Sequence, residues 1–483
     1  MKKIFYIFGA TLLFLILVLA LIVWQLFPPH IKTSPRKNHV IAGVTLLNPG
    51  YDPVENQTII IEDGVIKAIK ETHPDDPAPI CPGCFVMPGL IDAHIHTPPK
   101  LAIGNQRLFS LLYLKYGITS VRDLGQLDDS LPALINNISK GKIIGPRMYH
   151  CGPILDGESP AVPGSIVVHT EQQGIEQVKA LAKENVSCIK VYDKIPRDAF
   201  IGIAAQAQRE NLPLVGHTPH AVKLTEISNF EIAHFTGIPY LENDPPEGFA
   251  YRTQDLIDLT PQNIDTIITL MKRNNLSILP TTANAYARLT VSDKKRFPAT
   301  QGLQHLPKFW ELLWPVSVSH PETFEEIETD LKAIPAGLTF LNKARLQGID
   351  VLAGTDVIMP YMIPGESLHL QLERFEQAFG SPELALQAAT SVNGRTIDAG
   401  KIGHLEVGAY ADLLLLQKDP RDRLANAQDW SFLITNGRLY ERSYIEKAVA
   451  RYDRHFNGPL YSKVLNTAFS FIGGEYRHGN AEN

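Results

Sequence analysis

The sequence predicts an α/β fold: a (β/α)8, TIM-like barrel joined to a small β-sandwich module built from both chain ends, with a transmembrane helix in front. Three observations predict it. Short apolar, β-branched runs alternate with helical stretches from Gly89 to about Arg395, the pattern of βα units around a parallel sheet. Strand–turn–strand patterns flank that region on both sides, and the stretch Ile4 to Phe27 carries no charge. At 483 residues, 44% hydrophobic and 20% charged, the chain has the composition of a globular protein with room for more than one domain. A net charge of −6 leaves no basic footprint, so nucleic acid is not an expected partner.

The first element follows Lys2-Lys3. As a helix, the uncharged stretch would extend ~36 Å, enough for a hydrocarbon core of roughly 30 Å, with Tyr6 and Trp24 near its ends where aromatic belts lie. A secretory signal is the alternative, but its apolar region is shorter, and Gln25-Leu26-Phe27-Pro28 offers no small-residue cleavage site. The expectation is a single-pass membrane anchor with the body of the chain on the non-cytoplasmic (periplasmic or extracellular) side. Lys32, Arg36 and Lys37 behind the span nearly balance the two lysines before it. The expected divisions are 1–37 anchor and linker, 38–88 first half of the β-module, 89–396 barrel, 397–443 second half of the module, and 444–483 tail.

In the module, His39–Leu47, Thr58–Glu62 and Val65–Ile69 read as strands, with Asp63-Gly64 as a tight hairpin turn. So small a patch cannot bury much alone. Its other half comes from Leu413–Gln417 and Trp430–Thr435, the latter followed by Asn436-Gly437 and Arg438–Tyr440. The expected barrel strands are Leu90–His96, Thr119–Leu124, Arg147–Cys151, Cys188–Tyr192, Leu214–His217, Ile232–His234, Ser277–Pro280 and Val351–Ala353. Helices are expected at Ile175–Glu184, Arg197–Arg209 and Pro261–Arg273. The insertion from Tyr286 to Thr329 could form a lid or part of a pocket. A doubly wound open sheet competes, but no G-x-G-x-x-G follows a strand. Cys81 and Cys84 have no second pair at zinc-ribbon spacing and read as a disulfide or two idle thiols; Cys151 and Cys188 read as core. In the tail, Ile445–Phe456 reads as a helix broken by Gly458-Pro459, an added surface element.

Chemistry concentrates at strand ends, where barrels place active sites. In Pro88-Gly89-Leu90-Ile91-Asp92-Ala93-His94-Ile95-His96 the two-residue period puts Asp92, His94 and His96 on one face. Two imidazoles stacked on one face suit a metal ion better than a core. Later strands end on Lys190, His217, His234 and Asp356. Singly, these read as a snorkelling lysine, core histidines and a helix N-cap; together they point to a metal site. Asp92 is a candidate partner for an imidazole. Tyr192, one pleat beyond Lys190, and His220 are candidates to contact substrate, and Arg122 and His150 also lie near strand ends.

On these residues the chain resembles the amidohydrolase superfamily, whose entry motif Pro88–His96 is similar to. Gly365-Glu366-Ser367-Leu368-His369, Ala388-Ala389-Thr390-Ser391-Val392-Asn393 and Gly408-Ala409-Tyr410-Ala411-Asp412-Leu413 are similar to the branch with imidazolonepropionase and the metal-dependent Xaa-Pro dipeptidases. The resemblance implies two divalent ions, with zinc expected and Mn²⁺, Co²⁺ or Fe²⁺ not excluded. His94, His96 and Asp356 would hold one and His217 and His234 the other. Lys190 would bridge them, carboxylated by carbon dioxide. A single-metal form using His94, His96, His217 and Asp356 also occurs in that branch. The implied reaction is hydrolysis of amide-type C–N bonds in small substrates such as dipeptides or N-acyl amino acids, by a hydroxide bridging the metals, with Asp356 as the catalytic proton shuttle. A lactonase, cyclic amidase or phosphoesterase on the same site is the alternative, and a non-catalytic binding protein would have lost ligands. Glu366 and His369 would buttress Asp356. The segment Pro153–His169 departs from the glycine- and histidine-rich segment of the Xaa-Pro dipeptidases. The partners implied are a small-molecule or short-peptide substrate and the membrane; oligomeric state is left open.

Overall fold

The computed structural model describes residues 2–240, 253–317, 323–465 and 467. Strands from the two ends of the chain meet in one seven-stranded sheet. Its order is Arg438–Glu441, Trp430–Thr435, Leu413–Leu416, Phe85–Pro88, His39–Leu46, Val54–Glu62 and Val65–Glu71. The join is the antiparallel pairing of Leu413–Leu416 with Phe85–Pro88, a strand the sequence does not announce. The sheet curls on itself: Ile66 N donates to Ala409 O (2.9 Å) and Ala411 N to Gly64 O (2.9 Å). It is therefore one rolled sheet rather than the expected two-sheet sandwich, and Ile41, Ile59, Ile61, Leu413 and Leu415 fill its inside. Asp63-Gly64 and Asn436-Gly437 have φ of 50°, 71°, 50° and 71°, as two-residue hairpin turns require. The two turns abut: a Cβ on Gly64 would lie 3.1 Å from Gly437 Cα.

The central region holds two parallel sheets. Leu90–Ile95, Ile118–Asp123 and Arg147–His150 form one. Leu276–Leu279, Phe230–Ala233, Leu214–Gly216, Ile189–Val191 and the short strands Leu155–Asp156 and Ile166–Val167 form the other. Seven of the eight expected strands are present. The eighth, near Val351, makes only isolated bridges, Ile278 to Val351 and Ile95 to Val357. Its extended run is cut short because Asp356 turns to φ 61°.

Two seams therefore separate the sheets. At the first, Ser187 N donates to His150 O (2.8 Å) and a disulfide joins Cys151 to Cys188. Those cysteines are core residues as expected, but they are bonded to one another. At the second, Leu352 N donates to Ile278 O (2.8 Å) and Ala93 N to Ala353 O (3.0 Å). Asn393 spans the second seam as well, donating to Ile91 O and Ala353 O, both at 2.8 Å. Cys81 and Cys84 form the other disulfide, so no cysteine is free.

Helices Arg197–Arg209 and Pro261–Arg273 fall where the sequence places them. The one expected at Ile175 begins at Glu171, because the Thr170 side chain accepts from Gln173 N and caps it. The insertion contains helices Ala283–Ser292, Phe309–Ser317 and Phe324–Leu346; residues 318–322 of the expected span lie outside the described residues. The tail is not a surface addition. Helix Arg442–Phe456 is followed by a helical turn at 459–465, whose buried Tyr461 donates to Ile103 O (2.7 Å); residues 468–483 lie outside the described ones.

A helix covers Lys2–Leu26. Among the described residues no helix is long and apolar enough to cross a membrane, and the side chains at 2–8, 10 and 22 of this one are not described. Its described apolar side chains, Leu12 through Leu19 with Leu21 and Val23, are exposed; Leu26 is the first to enter the core.

Candidate metal centre

Parallel strands point the same way, so the residues that end them gather at one rim. Strand Leu90–Ile95 carries His94, with His96 just past its end, and Ile189–Val191 carries Lys190. Leu214–Gly216 and Phe230–Ala233 are followed directly by His217 and His234. Gly216 is required there: at φ +151° a Cβ would lie 2.0 Å from Val191 O, so only glycine lets the His217 strand close on the Lys190 strand.

Asp356 is the point of convergence. Its Oδ1 lies 3.2 Å from both His94 Nε2 and His96 Nε2, and its Oδ2 lies 3.7 Å from His234 Nε2. Ligand atoms of His94, His96 and Asp356 fall within 4.8 Å of one another. The His217 ring centroid is 5.0 Å from that of His234. The Lys190 amine is buried within electrostatic reach of Asp356, His94 and His234, and it makes no hydrogen bond among the described residues.

The outer nitrogens decide how the rings present themselves. His96 Nδ1 faces Gly125 O (3.0 Å) and His217 Nδ1 faces Asp193 Oδ1 (2.8 Å). Both partners can only accept, so each Nδ1 donates and each Nε2 offers its lone pair. His234 Nδ1 meets Thr281 Oγ1. This is how metal-binding imidazoles are held. His94 Nδ1 is buried with no partner. Three inward Nε2 atoms, an orphaned buried ring and a carboxylate together fit a divalent ion of the zinc type.

Burial favours a neutral ring at two of the imidazoles, whereas at His96 it is outweighed by the Asp356 carboxylate, which raises that ring. Burial pushes His94 well below its ordinary range and His234 down to about 3. Burial alone would raise Asp356, but the His94, His96 and His234 imidazoles hold it far below the usual carboxylate range. Burial lowers Lys190 to about 8. For Asp193, burial works upward, and His217 and His220 outweigh it and keep the carboxyl low. The backbone is strained here too: His234, Thr281 and Asp356 sit at φ 59°, 46° and 61°, each costing about 1–3 kcal/mol.

Several expectations need correction. Asp92 does not touch an imidazole. Its carboxylate accepts from the backbone N–H of His94 (3.2 Å) and Thr355 (3.1 Å) and from Thr355 Oγ1 (2.7 Å), tying two ligand-bearing segments together. Neither Glu366 nor His369 reaches Asp356: Glu366 accepts from Gly302 N (3.0 Å), and His369 Nε2 donates to Tyr116 O (2.8 Å). Arg122 is a buried partner of Glu231 and donates to Ala93 O (3.0 Å). His150 accepts at its carbonyl from Ser187. Tyr192 stacks on His217 at 4.0 Å and lines a cavity of about 270 Å³ beside His234 and Asp356. His220 does not line that cavity; it stands 4.0 Å from Asp193 Oδ1. Asp193 and Asn284, which donates to Asp356 Oδ2 (3.0 Å), are site residues that the sequence reading misses. Asp193 does carry a signal, because it directly follows Tyr192 at a strand end; Asn284 carries none.

The amidohydrolase family model matches residues 85–440. The chain belongs to the amidohydrolase family. It is an enzyme acting on carbon–nitrogen bonds, in a family that hydrolyses amide bonds and generally uses divalent metals. Bottromycin amidohydrolase is similar in structure, with 20% identity, a TM-score of 0.69, and 86% of this chain and 90% of that one covered. A Xaa-Pro dipeptidase with bound methionine matches at 16% identity and a TM-score of 0.59, covering 84% and 100%. The ochratoxinase of A. niger matches at 17% identity and a TM-score of 0.60, covering 84% and 96%. At such identities the likeness concerns the fold. No curated protein matches the sequence significantly.

Proposed function

We propose that this amidohydrolase is a two-metal hydrolase of small amides, dipeptides or N-acyl amino acids, working at the rim of a (β/α)8 barrel. The observation that carries the reading is the convergence of His94, His96 and His234 on Asp356 with a buried, unbonded Lys190 beside them. His94, His96 and Asp356 would hold one ion and His217 and His234 the other. Lys190, carboxylated on Nζ, would link the pair, because a free ammonium would repel two cations. When bound, such ions lower the pKa of water towards about 7 and polarise a carbonyl.

The chain's own groups do the rest. Asp356, kept ionised, takes a proton from the attacking water and delivers it to the leaving nitrogen as the C–N bond breaks. Asn284 fixes Asp356 through Oδ2. Gly125 and Asp193 hold the His96 and His217 tautomers, Thr281 braces the His234 ring, and Tyr192 walls the cavity. The test is to load the purified chain with zinc, count ions by elemental analysis, and screen dipeptides and N-acyl amino acids. About two ions per chain and turnover are expected. One ion at full activity would remove the two-metal site, and no turnover on either class would remove the substrate class.

We also propose that Lys2–Leu26 anchors the protein in a membrane, with the body on the non-cytoplasmic side. Exposed apolar side chains along the helix support the first part. Pairing of all four cysteines supports the second, since disulfides persist in oxidising compartments. Retention in membranes after alkaline washing is expected; release into the soluble fraction would refute the anchor.

A further inference from the structure

The cavity beside Asp356 has two unlike ends. At one, His234 Nε2 stands 3.7 Å from Asp356 Oδ2, and Asn284 donates to the same oxygen at 3.0 Å. The other end begins one residue on, because Phe235 follows His234 in the chain and also lines the cavity. Leu256, Ala285, Ala333, Ile334 and Met359 continue that apolar wall. Arg288 and Asp330 line it too, but Arg288 Nη2 donates to Asp330 Oδ2 at 2.7 Å, so their opposite charges offset each other.

Helix Phe324–Leu346 forms one side of the apolar end with its smallest residues. Ala333 and Gly337, four apart, share one helix face, and both line the cavity. Glycine inside a helix is less favourable than alanine, and at Gly337 the reason is space. A Cβ there would lie 3.2 Å from Phe235 Cζ and 3.5 Å from Leu256 Cδ2. Both side chains wall the cavity, and Phe235 is backed by the buried Phe340, ring to ring at 6.2 Å. A side chain longer than alanine at 337 would therefore take up the cavity itself. As it stands the volume is about 270 Å³, whereas an apolar cavity of about 150 Å³ already holds a benzene ring. The remainder accommodates the few atoms of an amide link but no long acyl chain.

We propose that this cavity selects amides carrying one bulky apolar group, an aromatic ring or a branched aliphatic side chain, next to the scissile bond. Gly337 is the residue that makes room for that group. The proposal rests on the amide-hydrolase reading above and narrows it. It excludes small polar dipeptides as preferred substrates.

Binding tests it without relying on turnover. Calorimetry on the zinc-loaded full chain compares N-acetylglycine with N-acetyl-L-phenylalanine and N-phenylacetylglycine, which carry a ring on opposite sides of the amide. The wild type should bind the better ring compound about 10- to 100-fold more tightly than N-acetylglycine, the range for burying such a side chain. Gly337→Ala should lower that ratio in part, and Gly337→Leu should bring it within about threefold. Alanine favours the helix, so a lower ratio in Gly337→Ala is not a folding defect. Ala333→Leu fills the same space from one turn earlier, with the same expected loss, and serves where Gly337→Leu does not fold. Loss of the ratio in either leucine variant supports the proposal. A wild-type ratio below about tenfold, no binding of any of the three, or a ratio that survives in every variant that folds overturns it. Hydrolysis of N-acetylglycine as fast as of both ring compounds overturns it alone. Ring-selective binding without hydrolysis of any of them would instead overturn the hydrolase reading.

Discussion

The two seams between the parallel sheets are built from opposite materials. The first, between Arg147–His150 and Ile189–Val191, has one backbone bond and a covalent link, Cys151–Cys188, among apolar neighbours such as Leu124 and Val215. The second, between Leu276–Leu279 and Leu90–Ile95, is closed by the irregular segment 351–357 and by buried polar groups, Asp92 and Asn393. Each seam leads straight to a site residue: Cys188 precedes Lys190 by two positions, and Thr355 immediately precedes Asp356. A regular ladder would have continued past these points with alternating side chains. Interrupting it allows a residue to be aimed inward, and something other than ladder hydrogen bonds then has to hold the strands. A covalent bond suffices where only position matters. Hydrogen-bonded groups serve where the backbone turns to φ 61° at the Asp356 carboxylate.

Changes at the end of the second seam should weigh most on turnover. Asp356→Asn is expected to lower kcat by about 10²–10⁴-fold while the metal content found by elemental analysis stays; full activity would show that this seam does not end in the proton carrier. The first seam should weigh on stability instead. Cys151→Ser/Cys188→Ser opens a loop closed over 37 residues, which is worth about 3–4 kcal/mol. Denaturant midpoints would read this, with activity of the folded fraction little changed. Asp92→Ala strands the buried His94 N–H and leaves the Thr355 N–H and hydroxyl only their longer bonds to His94 O, 3.2 and 3.4 Å. It should cost about 1–3 kcal/mol and, unlike the cysteine pair, should also slow turnover. The finest test combines them. If the seams are independent, the two stability losses add to within about 0.5 kcal/mol; larger coupling would mean the two sheets respond as one piece.

The strand-borne candidate ligands are legible in the sequence because period-two patterning and strand-end position are local properties of a chain. His94, His96, His217, His234 and Asp356 therefore stand out from residue order alone. The groups that make them work do not. Asp92 lies on the right face, yet its partners are backbone N–H groups, one of them on a segment at the far side of the chain. Cys151 and Cys188 sit in apolar runs and read as core, because pairing depends on strand adjacency that no spacing reveals. Asn284, Arg288 and Asp330 come from helices of the insertion, and only their tertiary meeting sets them around the cavity beside Asp356. The parts of the rolled sheet are each visible in the sequence, but its closure through Ala409 and Ile66 is not.

The sheet shared by both ends of the chain has a consequence for synthesis. Phe85–Pro88 pairs on one side with His39–Leu46, available early, and on the other with Leu413–Leu416, which leaves the ribosome only after the whole central region. Until then the nascent chain presents a bare strand edge of the sort that invites mispairing. Truncations from the carboxyl end should accordingly aggregate even when every metal-site residue is present, and chaperone dependence should fall sharply once the last strands emerge.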